Sequence, residues 1–163
     1  MSWKLSLAFL VLIIIVGYLL HMHFYRSFDV NKFEHLVFEK VNEERVKHGL
    51  KPLIWDERLY RAAKHHAEWM AGKDCCQHEE DSLKFRKPLD RARFYGFRGR
   101  IVGENVHCRP YFGSEEVAAE ETVEAWMKSP GHRRNMLNPR YSYAAVAAAK
   151  TENGIYVVLL LGG

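Results

Sequence analysis

Ile155-Tyr156-Val157-Val158-Leu159-Leu160-Leu161 is seven residues long, carries no charge and has six aliphatic side chains. Successive side chains of a strand point to opposite faces. A strand this apolar therefore has no face to give to water and must be covered on both sides. Helices on each side of a small sheet are the layered solution. Just upstream, Tyr143 to Thr151 reads as a second strand, and Glu152-Asn153-Gly154 between the two is a hairpin signal. A third segment, Ile101 to Val106, has strand character around a polar centre, Gly103-Glu104-Asn105.

The covering helices are legible as well. Phe33, Leu36, Val37 and Val41 recur at helical spacing behind Asp29 or Asn31 as a cap, and His48-Gly49 ends that helix. Lys51-Pro52 opens a connector. A second helix runs from Asp56 to Ala71 with Leu59, Ala62, Ala63, His66 and Met70 in one stripe, and Gly72 as its stop. His66 lies on that stripe and reads as a core histidine. Lys73 to Ser82 reads as a loop, and Leu83 to Tyr95 as a helix broken at Pro88. Ser114 caps a helix to Lys128, with Ala119, Thr122, Val123 and Trp126 on its apolar face. Ser129-Pro130 then starts another helix, which puts His132 in its first turn, where the positive dipole end favours a neutral imidazole.

The chain has 163 residues, 48% hydrophobic, which suits one domain with an appendage, and its net charge of +4 is modest. No nucleic-acid motif is present, and none is expected as a partner. Seven basic residues against one acid lie between Lys84 and Arg100. They suit anionic headgroups or wall polymers, but a solvated face is the simpler reading.

The appendage is N-terminal. Leu5 to Leu20 carries no charge, and the uncharged run continues to Tyr25. As a helix it would be roughly 31 Å long, close to a bilayer's hydrocarbon thickness. With no small-x-small cleavage site after it, the run reads as an uncleaved anchor rather than a signal peptide. Positive-inside counting puts the globular part outside. The expected division is an anchor over residues 1–25, meeting the membrane through residues 5–25, and an extracytoplasmic domain over residues 26–163.

Three separated polar residues stand out as chemistry: His78, Glu104 and His132. Two imidazoles and a carboxylate suit zinc or another borderline divalent ion with an open position. Without metal, the same trio could act as acid and base groups, with Glu104 the candidate base. Cys75, Cys76, His78 and Cys108 form a second conceivable metal set if the thiols are reduced. An external domain favours oxidation instead, with Cys108 bridged to Cys75 or Cys76 and one thiol left over.

From about residue 33 to 161 the chain resembles the CAP superfamily (cysteine-rich secretory protein, antigen 5 and pathogenesis-related 1), in its prokaryotic SCP-like branch. The resemblance is carried by Asn42-Glu-Glu-Arg45, Gly49 through Asp56, Leu59 with Ala62 and Ala63, and His78. It continues through Arg91 with Tyr95-Gly96-Phe97, Gly103-Glu104-Asn105, and Trp126 through Asn138. It implies an α+β fold, a three-layer α-β-α sandwich with a small antiparallel sheet, here preceded by one transmembrane helix. It also implies that His78, Glu104 and His132 face one cavity able to hold zinc or magnesium. The position of a second cavity glutamate in animal members is Ser129 here, and helical phase turns Glu124 away. The resulting expectation is a binding module for a lipid, wall polymer or protein. A metal-assisted, peptidase-like hydrolase or a purely structural cavity are the alternatives.

Overall fold

The last strand, β4 (Ile155–Gly162), is buried along its whole length, and the other elements are arranged to bury it. The structure is a computed structural model and describes residues 8–18, 28–110 and 113–163. In chain order its elements are α1 (8–18), α2 (Val30–Lys47), β1 (Ile54–Trp55), α3 (Glu57–Lys73) and α4 (Pro88–Phe94). There follow β2 (Val102–Arg109), α5 (Glu115–Lys128), α6 (Pro130–Met136), β3 (Tyr143–Lys150) and β4. The sheet order is β1-β3-β4-β2, so β4 is an inner strand, antiparallel to β2 on one side and β3 on the other.

Alternation along these strands builds two cores. Ala144, Val146, Ala148, Ile155, Val157, Leu159 and Leu161 pack with α2 and α5 through Phe33, Val37, Val41, Val123 and Trp126. Ala145, Ala147, Tyr156, Val158 and Leu160 face the other way, onto Leu59, Ala62, Ala63 and Met70 of α3 and Ala92 of α4. The run of alanines in β3 keeps side chains short where helices approach from both sides.

Two features of the expected fold class need correction. The sheet is mixed, not antiparallel, because Ile54-Trp55 pairs in parallel with Tyr143-Ala144. Two residues are too few to show a period, and they sat in what reads as a connector. Their place is fixed by the Ile54 amide donating to Ser142 O at 2.9 Å and the Asp56 amide to Ala144 O at 3.0 Å. Second, among the described residues no helix is long and apolar enough to cross a membrane. Helix α1 is described over residues 8–18, about 16 Å of rise, roughly half a hydrocarbon core. The rest of the expected span, residues 5–7 and 19–25, lies outside the described residues.

Local signals explain most helix ends. Asp29 accepts the Lys32 amide, Asp56 the Arg58 and Leu59 amides, and Ser114 the Val117 amide. Gly72 does not stop α3. The helix runs to Lys73, and Asp74 takes the left-handed conformation at φ 50°. Pro88 does not break a helix either, because it occupies the first turn of α4.

A buried arginine ties the sandwich to its last short helix. Arg45 Nε donates to Lys51 O (3.0 Å), and its terminal nitrogens donate to Met136 O (2.6 Å), Asn138 O (3.1 Å) and Tyr141 O (3.2 Å). Asn42 imitates a strand neighbour, donating to Leu53 O and accepting the Leu53 amide.

Cys76 and Cys108 form a disulfide with Cα atoms 5.9 Å apart, and Cys75 is a free thiol. The bridge pins the loop after α3 to β2 and removes the second conceivable metal set. Closing a loop with a sequence separation of 32 stabilises by about 3.5 kcal/mol in the chain-entropy account. Reduction, or Cys108→Ser, should therefore lower the unfolding free energy by about 2–4 kcal/mol. Guanidinium titrations with and without reductant measure this, and a midpoint indifferent to reductant would contradict it.

Candidate functional site

The site is built on β2, which is an edge strand. Gly103 is required there because a Cβ would run into the Tyr141 hydroxyl. Glu104 then faces α3 and α4, while Asn105 faces α6, so one strand addresses both helical layers. Its open edge is covered by side chains. Trp126 Nε1 donates to Val106 O at 3.1 Å, and Asn135 Nδ2 donates to Glu104 O at 3.0 Å, which blocks pairing with a further strand.

From the loop between α3 and α4 comes His78. Its Nδ1 lies 2.9 Å from Glu104 Oε1, and its side chain is 49% exposed. From α6 comes His132, half-buried, its ring centroid 6.3 Å from that of His78. Asn105 Nδ2 donates to His132 O (3.0 Å), and Asn135 Nδ2 also donates to Asn105 Oδ1 (2.9 Å), which fixes α6 against the strand. The three expected residues are thus brought to one place, two open imidazoles beside a buried carboxylate. Ser129 sits at the helix start as expected, but its side chain makes no capping bond. Glu124 faces solvent and pairs with Lys128 at 2.8 Å.

Beneath the imidazoles is a polar cluster that sequence reading did not assemble. Arg91 is fully buried and so is no part of a solvated basic face. One terminal nitrogen donates to Glu104 Oε2 (2.5 Å) and to His78 O (3.2 Å); the other donates to Phe85 O (2.9 Å) and Arg86 O (3.1 Å). Glu80, also buried, lies 3.6 Å from Arg91, 2.9 Å from His66 Nδ1 and 3.2 Å from His65 Nε2. His66 Nε2 is 2.9 Å from Gln77 O. A carbonyl only accepts, so Nε2 carries a hydrogen, and the Nδ1–Glu80 bond needs one further proton on one partner or the other. His66 is a fully bonded core histidine, as its helical phase indicates. Glu80 follows His78 by two residues, yet nothing in its sequence context separates it from Glu79, which is exposed and pairs with Arg86 at 2.8 Å.

The two imidazoles at the surface of the site are shifted in opposite directions. The hydrogen bond to Glu104 raises the His78 pKa above its ordinary value, against partial burial. Burial, then the charge of His78, lowers that of His132. His66 is lowered chiefly by burial, with Glu104 opposing.

As a metal centre the donor set is incomplete. Both Glu104 oxygens are engaged, one by His78 and one by the Arg91 cation. Among the described residues no group of three or more His, Cys, Asp or Glu is placed to hold a metal ion. Glu104 is thus an orienting carboxylate for His78 rather than a free ligand.

A helix-clad mixed sheet with paired histidines beside a Gly-Glu-Asn edge strand defines a CAP-type domain. The profile of the cysteine-rich secretory protein family (CAP) matches residues 38–161, and the chain belongs to that family. It is 36% identical over 118 residues to the uncharacterized protein YkwD of Bacillus subtilis, covering 72% of this chain and 43% of YkwD. The chain thus spans less than half the length of that relative. An outer surface protein of Borrelia burgdorferi shares the fold with a TM-score of 0.71 at 22% identity, covering 82% of this chain and 94% of that one. An extracellular SCP-domain protein of Bacillus anthracis does so with a TM-score of 0.68 at 22% identity, over 81% and 40%.

The opposed shifts fix opposite pH behaviour. The raised His78 pKa contributes stability that is fully present below the unfolded value of about 6.5 and lost as pH rises through the folded value. The lowered His132 pKa contributes stability present above about 6.5 and lost as pH falls through its folded value. Histidine ring resonances should titrate with the His78 midpoint above that of His132, and Glu104→Gln should bring His78 down. Coincident midpoints would contradict the assignment.

Proposed function

We propose that this domain is an extracytoplasmic binding module that takes its ligand against the His78–His132 pair. The observation that carries the reading is the pairing of two accessible imidazoles with a carboxylate immobilised by a buried arginine. Such a pair offers two ring nitrogens side by side, on groups held in place before the ligand arrives. The Cys76–Cys108 bridge suits an oxidising compartment outside the cytoplasm. The Borrelia protein is an outer surface protein and the Bacillus anthracis one is extracellular, which supports the same placement. The ligand class is that of the sequence expectation: lipid, wall polymer or protein.

A divalent ion is an optional part of this reading. Two imidazoles are half of a tetrahedral zinc shell, and water or ligand would supply the rest. Magnesium demands oxygen ligands and finds little here, because Glu104 is engaged. The hydrolase alternative needs Glu104 free to take a proton, and no observation favours it over binding. For residues 5–25 the proposed partner is lipid, supported by the exposed Leu10, Ile13 and Ile14 of α1; a spanning helix is no part of this reading.

Zinc titration of the full chain tests the site. Loss of an outer-shell partner already weakens metal binding roughly tenfold or more, and loss of a ligating imidazole should cost at least that. His78→Ala and His132→Ala should each show it, with the melting temperature held within a few degrees and magnesium unable to compete. Zinc affinity unchanged in both variants would remove the metal from the proposal.

A further inference from the structure

The segment from residue 79 to 94 carries a surface that the histidine site does not use. Leu83 is 81% exposed and Phe94 49%, two large apolar side chains held out into solvent. Lys84 lies across the aromatic groups beside them, its Nζ 4.0 Å from the Phe94 ring centroid and 5.2 Å from that of Phe85. Phe85 meets Phe94 edge-on at 4.8 Å and backs onto His65 at 4.3 Å. Because Arg91 also holds the Phe85 carbonyl, the platform has a rigid support. Lys87 and Arg93, both exposed, stand at the start and in the last turn of α4. Among the described residues, Lys84, Lys87 and Arg93 have no carboxylate within ion-pair distance. The neighbouring acids are already engaged: Glu79 with Arg86 at 2.8 Å, Asp81 with Lys73 at 3.1 Å, and Asp90 with the Lys87 amide at 3.2 Å.

We propose that residues 83–94 are a docking face for an anionic lipid surface. Leu83 and Phe94 enter the boundary between headgroups and acyl chains, and Lys84, Lys87 and Arg93 meet the phosphates. The charge excess alone would serve any polyanion, but the exposed apolar pair decides between partners. A soluble polymer of phosphates leaves Leu83 in water, whereas a bilayer removes it. Lysine stems also lie along apolar surface while their ammonium groups reach the headgroup level, the arrangement Lys84 already has over Phe94. This face needs neither imidazole of the site, so the two proposals stand or fall separately.

The test is amide hydrogen exchange of the full chain, read on peptides covering residues 79–95. The chain is mixed in turn with phosphatidylcholine vesicles, vesicles containing phosphatidylglycerol, and soluble polyphosphate. Reading a local segment keeps lipid contact by residues 5–25 out of the signal. Slower exchange is expected with phosphatidylglycerol only. It should disappear in Lys84→Glu/Lys87→Glu/Arg93→Glu, each lost cation weakening binding about fivefold. It should also need severalfold more lipid in Leu83→Ser, whose exposed side chain leaves the core untouched. Three results would overturn the proposal: no lipid-dependent slowing, equal slowing by phosphatidylcholine, or equal slowing by polyphosphate in the wild-type chain and Leu83→Ser.

Discussion

One buried guanidinium governs the polar half of this domain. Arg91 has no exposed surface, and it joins the carboxylate of β2 to the backbone of the loop that carries His78. It does so through Glu104 and through the carbonyls of His78, Phe85 and Arg86. Burying ions is unfavourable, and an ion pair in a protein interior is often no better than well-packed apolar groups. Removing one member is a different matter, because it strands the other and costs roughly 3–5 kcal/mol. Here the group left without its cation would be Glu104. The cluster is therefore cooperative: loop, carboxylate and helix α4 hold one another in place through it, with α4 further anchored by Ala92 in the core.

The other arm of the site rests on a second buried arginine. Arg45 donates to Met136 O at the end of α6 and to Asn138 O and Tyr141 O just beyond, so the helix bearing His132 is fixed at its C-terminal end. Asn105 and Asn135 fix it against β2. Each imidazole thus comes from a different side of the sheet, and each side is tied down by its own buried guanidinium, Arg45 through four carbonyls and Arg91 through three carbonyls and the Glu104 carboxylate. The strand between them supplies the register: residue 104 looks into one layer, 105 into the other. A site assembled at a sheet edge from two layers can stay open to solvent while its supports remain dry.

Much of this is legible in the chain. Strand β4 declares its double burial, the Glu152-Asn153-Gly154 turn joins it to β3, and Asp29, Asp56 and Ser114 mark helix starts by ordinary cap chemistry. The meeting of His78, Glu104 and His132 rests on family resemblance, since no spacing rule links residues so far apart in the chain. What was not legible shares one cause: it depends on tertiary neighbours. Ile54-Trp55 becomes a strand only because β3 lies beside it, and two residues leave no period. Asp74 rather than Gly72 ends α3, its carboxylate held by Asn153 Nδ2 and the Tyr156 hydroxyl, partners far along the chain. Arg91 stands in a run of cations and reads as one more solvated charge; its burial follows from the carbonyls that surround it, which sequence does not display. Glu80 is hidden for the same reason beside Glu79.

The electrostatics of the site follow from this placement rather than from the histidines themselves. His78 and His132 are the same chemical group, half-open to the same solvent. Glu104 bonds to one of them only, because its second oxygen is taken by Arg91 and its strand faces the His78 layer. The carboxylate therefore raises one imidazole, and the charge so favoured on His78 works together with burial to lower the other. The contact to Glu104 and the burial of His132 together make two chemically equivalent bases unequal. An arginine that left Glu104 free to turn would weaken the contact that raises His78, while burial would still lower His132.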